Sequence, residues 1–193
     1  MERICVFCGS SSGQDPVYRS AAQEMGRALV KAGIGMVYGA GNVGLMGVIA
    51  DEMLTHKAEV IGVIPDFLMK KEVGHTGISE LIVVDTMHQR KALMAEKSDG
   101  FISMPGGYGT LDETFEIMTW AQLGLHQCPV GLLNVKGYYD PMLRMLDHMV
   151  EEGFLRAENR AMLLADSDPE QLLAKMDAYQ APDVEKWLNR NRL

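Results

Sequence analysis

Two stretches carry residue types at spacings that suit chemistry on a phosphorylated sugar. In the first, Pro105-Gly106-Gly107-Tyr108-Gly109-Thr110-Leu111-Asp112-Glu113, a short apolar run (101–104) feeds a glycine-rich turn, and a helical pattern leaves it. Glycines there let the chain turn tightly and let a ligand approach the backbone. A helix start adds unpaired N–H groups and the positive end of a dipole, which together suit an anion. A phosphate site is the functional reading; a strand-to-helix turn that needs glycine for geometry alone is the other. Thr110 and Glu113 also fit a capping box, with Thr110 as N-cap and Glu113 folded back onto it. A carboxylate spent on its own helix start is unavailable to a substrate, so the two roles of Glu113 compete.

The second stretch is Met87-His88-Gln89-Arg90-Lys91. Thr86 and Gln89 read as a capping box, which places Arg90 and Lys91 in the first turns of a helix, where the dipole disfavours cations. Cations at such positions imply a nearby anion, either a buried acid or a ligand phosphate. Gly39-Ala40-Gly41-Asn42-Val43-Gly44 matches G-x-G-x-x-G. It follows the second strand rather than the first, and no acid closes the next strand to hold a ribose. Close helix–sheet packing or phosphate approach fits that loop better than a dinucleotide site does.

These loops need a scaffold that gathers them. Short apolar runs at 4–8, 35–38, 59–64, 81–84, 101–104, 130–135 and 162–165 read as strands. Helical patterns at 16–32, 45–56, 87–98, 110–123, 141–152 and 169–179 alternate with them, residues 66–80 read as irregular, and residues 183–193 form a tail or final turn. The alternation predicts an α/β fold: one doubly wound, Rossmann-like, mostly parallel sheet with helices on both faces, and residues 1–193 as a single nucleotide-binding domain. In such sheets ligands bind beyond the carboxyl ends of the strands, where the glycine-rich loops 9–13, 39–44 and 106–109 all fall. Leu111, Phe115, Met118 and Gln122 are expected to face the core from the helix after residue 109.

Composition narrows the function classes. The chain of 193 residues has a formal net charge of −8, which disfavours non-specific nucleic-acid binding. No apolar run approaches the ~20 residues of a membrane helix, and the N-terminus shows no signal-peptide pattern, so a cytoplasmic protein is expected. Cys5 and Cys8 match C-x-x-C but lie in a strand, where residues three apart point to opposite faces. They read as buried structural cysteines, and the scattered histidines show no metal-ligand spacing; no metal site is expected.

Together, the stretches 105–113 and 87–91 resemble the Lonely-Guy family, the cytokinin riboside 5′-monophosphate phosphoribohydrolases, long labelled as lysine decarboxylases. The family's P-G-G-x-G-T-x-x-E and M-x-x-R-K signatures are intact here. Leu45-Met46-Gly47 and Thr119-Trp120-Ala121-Gln122-Leu123-Gly124 also resemble it, and the likeness runs from about Ile4 to about Ala157. Ala40 departs from it, standing where members often have a further glycine.

The resemblance implies a hydrolase that cleaves the N-glycosidic bond of plain or N6-substituted adenosine 5′-monophosphates, giving free base and ribose 5-phosphate. It implies Arg90 and Glu113 as the catalytic pair. It places Gly106, Gly107, Tyr108, Gly109 and Thr110 on the phosphate, and Glu72, Met87, Lys91 and Thr119 along the nucleotide. Homodimers or assemblies of dimers are implied, with no cofactor. A decarboxylase would need pyridoxal phosphate on a lysine, for which the sequence offers no context. The alternative from another class is a nucleotide-binding sensor that does not turn over.

Overall fold

The computed structural model describes residues 1–69 and 74–182. Seven strands form one parallel sheet: β1 (Arg3–Phe7), β2 (Gly35–Tyr38), β3 (Val60–Pro65), β4 (Glu80–Val84), β5 (Gly100–Ser103), β6 (Val130–Leu133) and β7 (Leu163–Asp166). Their spatial order is β4-β3-β2-β1-β5-β6-β7. The first half of the chain therefore builds outward from β1 in one direction. The crossover from β4 to β5 then returns to the other side of β1. The order reverses between β1 and β5, so the loops leaving those two strands diverge and open a crevice.

Helices α1 (Pro16–Ala32), α2 (Gly44–Thr55) and α8 (Pro169–Asp177) cover one face. Helices α4 (Met87–Glu96), α5 (Tyr108–Gln122), α6 (Asp140–Glu151) and α7 (Ala157–Ala161) cover the other, and α3 (Asp66–Met69) follows β3. Strand side chains alternate between the two cores: Ile4, Val6 and Cys8 enter the first, Cys5 and Phe7 the second. The two cysteines thus lie on opposite faces, and both are free thiols. Helix starts follow the local chemistry. Asp15 caps α1 ahead of Pro16, and Thr86 with Gln89 closes the capping box on α4.

Three expectations need correction. Residues 66–80 hold the short helix α3, and the chain before β7 holds α7, which the sequence pattern did not signal. The expected strand 130–135 ends at Leu133, and Val135–Gly137 forms a 3₁₀ turn in which Lys136 and Gly137 adopt φ of 53° and 69°. Of the residues expected to face the core from α5, Leu111 and Met118 pack against it, Phe115 and Gln122 are exposed, and the fully buried stripe is Thr110, Thr114, Ile117 and Ala121. The helix is rotated from expectation because Ser103 on β5 meets the Thr114 hydroxyl at 2.6 Å, and Thr114 donates to the Thr110 carbonyl at 2.6 Å. That satisfied hydroxyl pair brings small threonines to the sheet and turns Phe115 outward. The tail 183–193 lies outside the described residues. Among the described residues no helix is long and apolar enough to cross a membrane.

Candidate active site

At the crevice between β1 and β5 a cavity of about 260 Å³ gathers Arg90, Glu113 and the α5 start, Gly107 to Thr110. Cys8, Gly9, Ser10 and Met46 complete it. The two distant signature stretches therefore meet, although α4 and α5 are separated in sequence by all of β5.

The start of α5 decides what Glu113 can do. The helix begins at Tyr108, with Gly107 as N-cap in extended backbone and no side chain capping it. Thr110 is thus the third helical residue rather than the cap, and Glu113 is the sixth. The capping-box expectation for Thr110 and Glu113 is overturned: the carboxylate is too far along the helix to fold back. Gly109 and Glu113, at i and i+4, share one helical face, and that face lines the cavity with Thr110 at its inner edge. The first N–H groups of α5 open toward the same space, where an anion would satisfy them.

The glycines of the turn divide by role. A Cβ on Gly106 would collide with Thr110 and crowd the Gly9 backbone, so the fold itself requires glycine there. A Cβ on Gly107 or Gly109 would meet nothing within 4 Å. Their bareness leaves the cavity floor open to a ligand.

Arg90 is buried, 8% exposed, with its guanidinium seated on strand ends. Its Nε donates to the Val63 carbonyl at 3.1 Å and its Nη2 to the Gly39 carbonyl at 3.1 Å. Met87 Sδ lies 3.9 Å from Nη1. A Cβ at Gly39 would occupy the place of the guanidinium, so the first glycine of the G-x-G-x-x-G loop serves Arg90. Gly44, at φ 63°, packs directly on the Ser10–Ser11 backbone, and Ala40 takes φ 60°. That loop is a packing device between α2 and the sheet.

Burial pushes the Glu113 carboxyl up to about 7. Arg90 and Lys91 pull against burial, while Asp112 and Glu116 add to it. A carboxyl that exchanges its proton near neutrality suits general acid–base work. Burial and the nearby Glu113 push the Cys8 thiol well up, so it is a neutral wall residue rather than a nucleophile.

The remaining expected residues scatter. Lys91 donates to Asp112 at 3.1 Å and pairs with Glu116 at 2.9 Å, so the anion its position implied is a pair of protein acids on α5. Tyr108 stands at the cavity mouth, 94% exposed. Thr119 lines a separate groove of about 190 Å³ with Phe115, Met118 and Leu146. Glu72 lies outside the described residues. The sequence does not assign Cys8, Ser10 and Met46 to the site: Cys8 reads as a structural cysteine, Ser10 only as part of the 9–13 loop and Met46 only as part of the family likeness. That they share one cavity depends on the strand order, which brings the 9–13 loop and the start of α2 together.

The family model described as "Possible lysine decarboxylase" matches residues 46–176. The chain is 48% identical over 188 residues to "Probable cytokinin riboside 5'-monophosphate phosphoribohydrolase LOGL2" of Oryza sativa subsp. japonica, covering 97% of this chain and 77% of that one. It is 49% identical over 178 residues to the cytokinin riboside 5′-monophosphate phosphoribohydrolase LOG1 of Arabidopsis thaliana, covering 92% and 84%. Among solved structures, the molybdenum cofactor binding protein of the phototrophic bacterium Rippkaea orientalis superposes with a TM-score of 0.68 at 19% identity, over 92% of this chain and 97% of that one. That likeness shows the fold alone.

Proposed function

The chain belongs to the family of cytokinin riboside 5′-monophosphate phosphoribohydrolases, and we propose on that footing that it hydrolyses the N-glycosidic bond of adenosine 5′-monophosphates, plain or N6-substituted. The products are the free base and ribose 5-phosphate. The observation that carries the reading is the convergence of Arg90, Glu113 and the uncapped α5 start on one cavity.

The geometry divides the labour. The 5′-phosphate sits on the N–H groups of Gly107 to Thr110, held by the helix start. Binding at that remote end orients the sugar. Glu113, one turn further along the same helical face, meets the anomeric carbon. Cleavage passes through an oxocarbenium-like sugar, which a carboxylate stabilises. Glu113 takes a proton from the attacking water, the bond from the anomeric carbon to the base nitrogen breaks, the departing base takes up a proton from solvent, and Glu113 returns its own to solvent at the end of the turnover. Arg90, fixed by two carbonyls, supplies positive charge that keeps a useful fraction of Glu113 ionised. Tyr108 at the mouth offers a ring on which the base stacks.

Lys91 does not suit Schiff-base chemistry. Burial lowers its pKa, but hydrogen bonds and charge from Glu116 and Asp112 outweigh that and hold it above the ordinary lysine value. We also infer a homodimer, formed over the apolar groove that Phe115, Met118, Leu146, Met149 and Leu155 line; an apolar surface of this kind favours association.

The test is incubation of the purified protein with AMP and with isopentenyl-AMP, followed by chromatography for released base. Release from either supports the reading. Binding of AMP without release of base from any purine monophosphate at high enzyme would establish the sensor alternative instead.

A further inference from the structure

Three consecutive carbonyls of the glycine turn are each held by a donor from elsewhere in the fold. Tyr139 Oη donates to the Met104 carbonyl at 2.6 Å, Gly9 N–H to the Pro105 carbonyl at 3.1 Å, and Tyr138 Oη to the Gly106 carbonyl at 2.5 Å. In a trans peptide the C=O and the following N–H point in opposite directions, and the described chain has no cis bond. Fixing the Pro105 carbonyl therefore aims the Gly106 N–H, and fixing the Gly106 carbonyl aims the Gly107 N–H. Gly107 is the N-cap of α5 and lines the cavity that holds Glu113.

The Gly106–Gly107 peptide needs such a fixture. Nothing lies within 4 Å of a Cβ built on Gly107, so side-chain packing does not set its orientation. The fixture itself is anchored from several sides. Tyr138 follows two left-handed residues, at φ 53° and 69°, and its ring meets Tyr18 and Tyr139 edge-on at 5.9 and 5.1 Å. Asn134 accepts from the Tyr139 N–H at 2.8 Å and donates to Asp140 at 2.7 Å, pinning the turn that presents both tyrosines. A strained backbone retained at such a turn marks a position the surroundings over-determine.

We propose that Tyr138 is a positioning residue for phosphate recognition: its hydroxyl locks the Gly106–Gly107 peptide so that the Gly107 N–H faces the phosphate of the substrate. The proposal rests on the assignment of the α5 start as the phosphate seat. It predicts that Tyr138 governs ligands bearing a phosphate and leaves the free base untouched. Tyr139, whose ring is buried, serves the strand end instead.

The experiment is calorimetric titration of the wild type, Tyr138→Phe and Tyr18→Phe with ribose 5-phosphate and, separately, with adenine. Phe keeps the ring contacts and removes only the hydrogen bond. The expected result is ribose 5-phosphate binding weakened about fivefold or more in Tyr138→Phe. Adenine binding stays within about twofold and Tm within about 2 °C of wild type. Where turnover is measured, KM for the nucleotide rises while kcat holds. Three results would overturn the proposal: unchanged ribose 5-phosphate affinity in Tyr138→Phe, an equal loss for adenine, or an equal loss in Tyr18→Phe. A wild type that releases base yet does not bind ribose 5-phosphate also overturns it while leaving the hydrolase standing. Selective weakening in a protein that releases no base supports Tyr138 and removes the hydrolase.

Discussion

Arg90 Nη2 donates to the carbonyl oxygen of Gly39 at 3.1 Å, and the guanidinium fills the space a side chain on Gly39 would need. A glycine in one loop and an arginine in a distant helix thus make a single seat. Substituting Gly39→Ala should displace the guanidinium, which is the far end of a flexible side chain and can move. The backbone then survives at a cost of about 1–2 kcal/mol for the stranded carbonyl. Base release should fall by about 50-fold or more, since charge beside Glu113 is misplaced. Circular dichroism and Tm alongside an activity assay separate the two effects.

Glu113 ties activity and stability to pH in opposite senses. Its carboxyl sits at about 7 in the fold against an ordinary 4.5. Between those values the folded state keeps a proton that the unfolded state has lost. Stability therefore falls as pH rises through that window, and the loss is complete above it. Glu113→Gln should remove this dependence and leave the variant more stable than wild type at pH 8, on the order of 2 kcal/mol after allowing for partial solvent access. At pH 4, below both values, the two should melt alike. Denaturant titrations at both pH values read the difference.

The same ionisation should appear in kinetics. If the carboxylate takes a proton from water, kcat/KM rises with pH through an inflection near 7 in the free enzyme. Lys91 is among the charges that lower the Glu113 pKa, and it is paired with Asp112 and Glu116. Lys91→Met removes the cation and frees two acids, so the inflection should move upward by about half a pH unit. A pH–rate profile of the variant that overlays the wild type would disconnect Lys91 from Glu113.

The glycines of the turn give a contrast within one loop. Gly106→Ala must push against Thr110 and the Gly9 backbone, and it should lower stability by about 2 kcal/mol or more. Gly107→Ala and Gly109→Ala meet open space and should fold like wild type. Each places a methyl where the phosphate would sit, and KM for the nucleotide should rise about tenfold or more in both. Melting curves and Michaelis plots for the three variants check this, and normal kinetics in Gly107→Ala would move the phosphate elsewhere.

Much of this arrangement was legible in the residues themselves. Strand runs alternating with helical periods specify a parallel sheet, because only covered strands stay apolar on both faces. Thr86 and Gln89 announced the start of α4, and the misplaced cations Arg90 and Lys91 announced an anion nearby; these are local signals, carried within a turn or two of chain. The partners of those cations were not local. Which acids Lys91 would meet, and that Arg90 would lie on the carbonyls of Gly39 and Val63, depend on α4 packing against β2, β3 and α5, which the strand order sets. Glu113 shows the division most clearly. Its neighbours allow either a cap or a catalytic acid, and sequence spacing alone balances the two. The choice falls to Gly107, which starts the helix three residues before Thr110, in the phase that lets Thr114 reach Ser103 in the sheet. Local sequence determined the parts and their periods; long-range packing decided the phase of one helix, and with it whether a carboxylate faces its own backbone or the cavity.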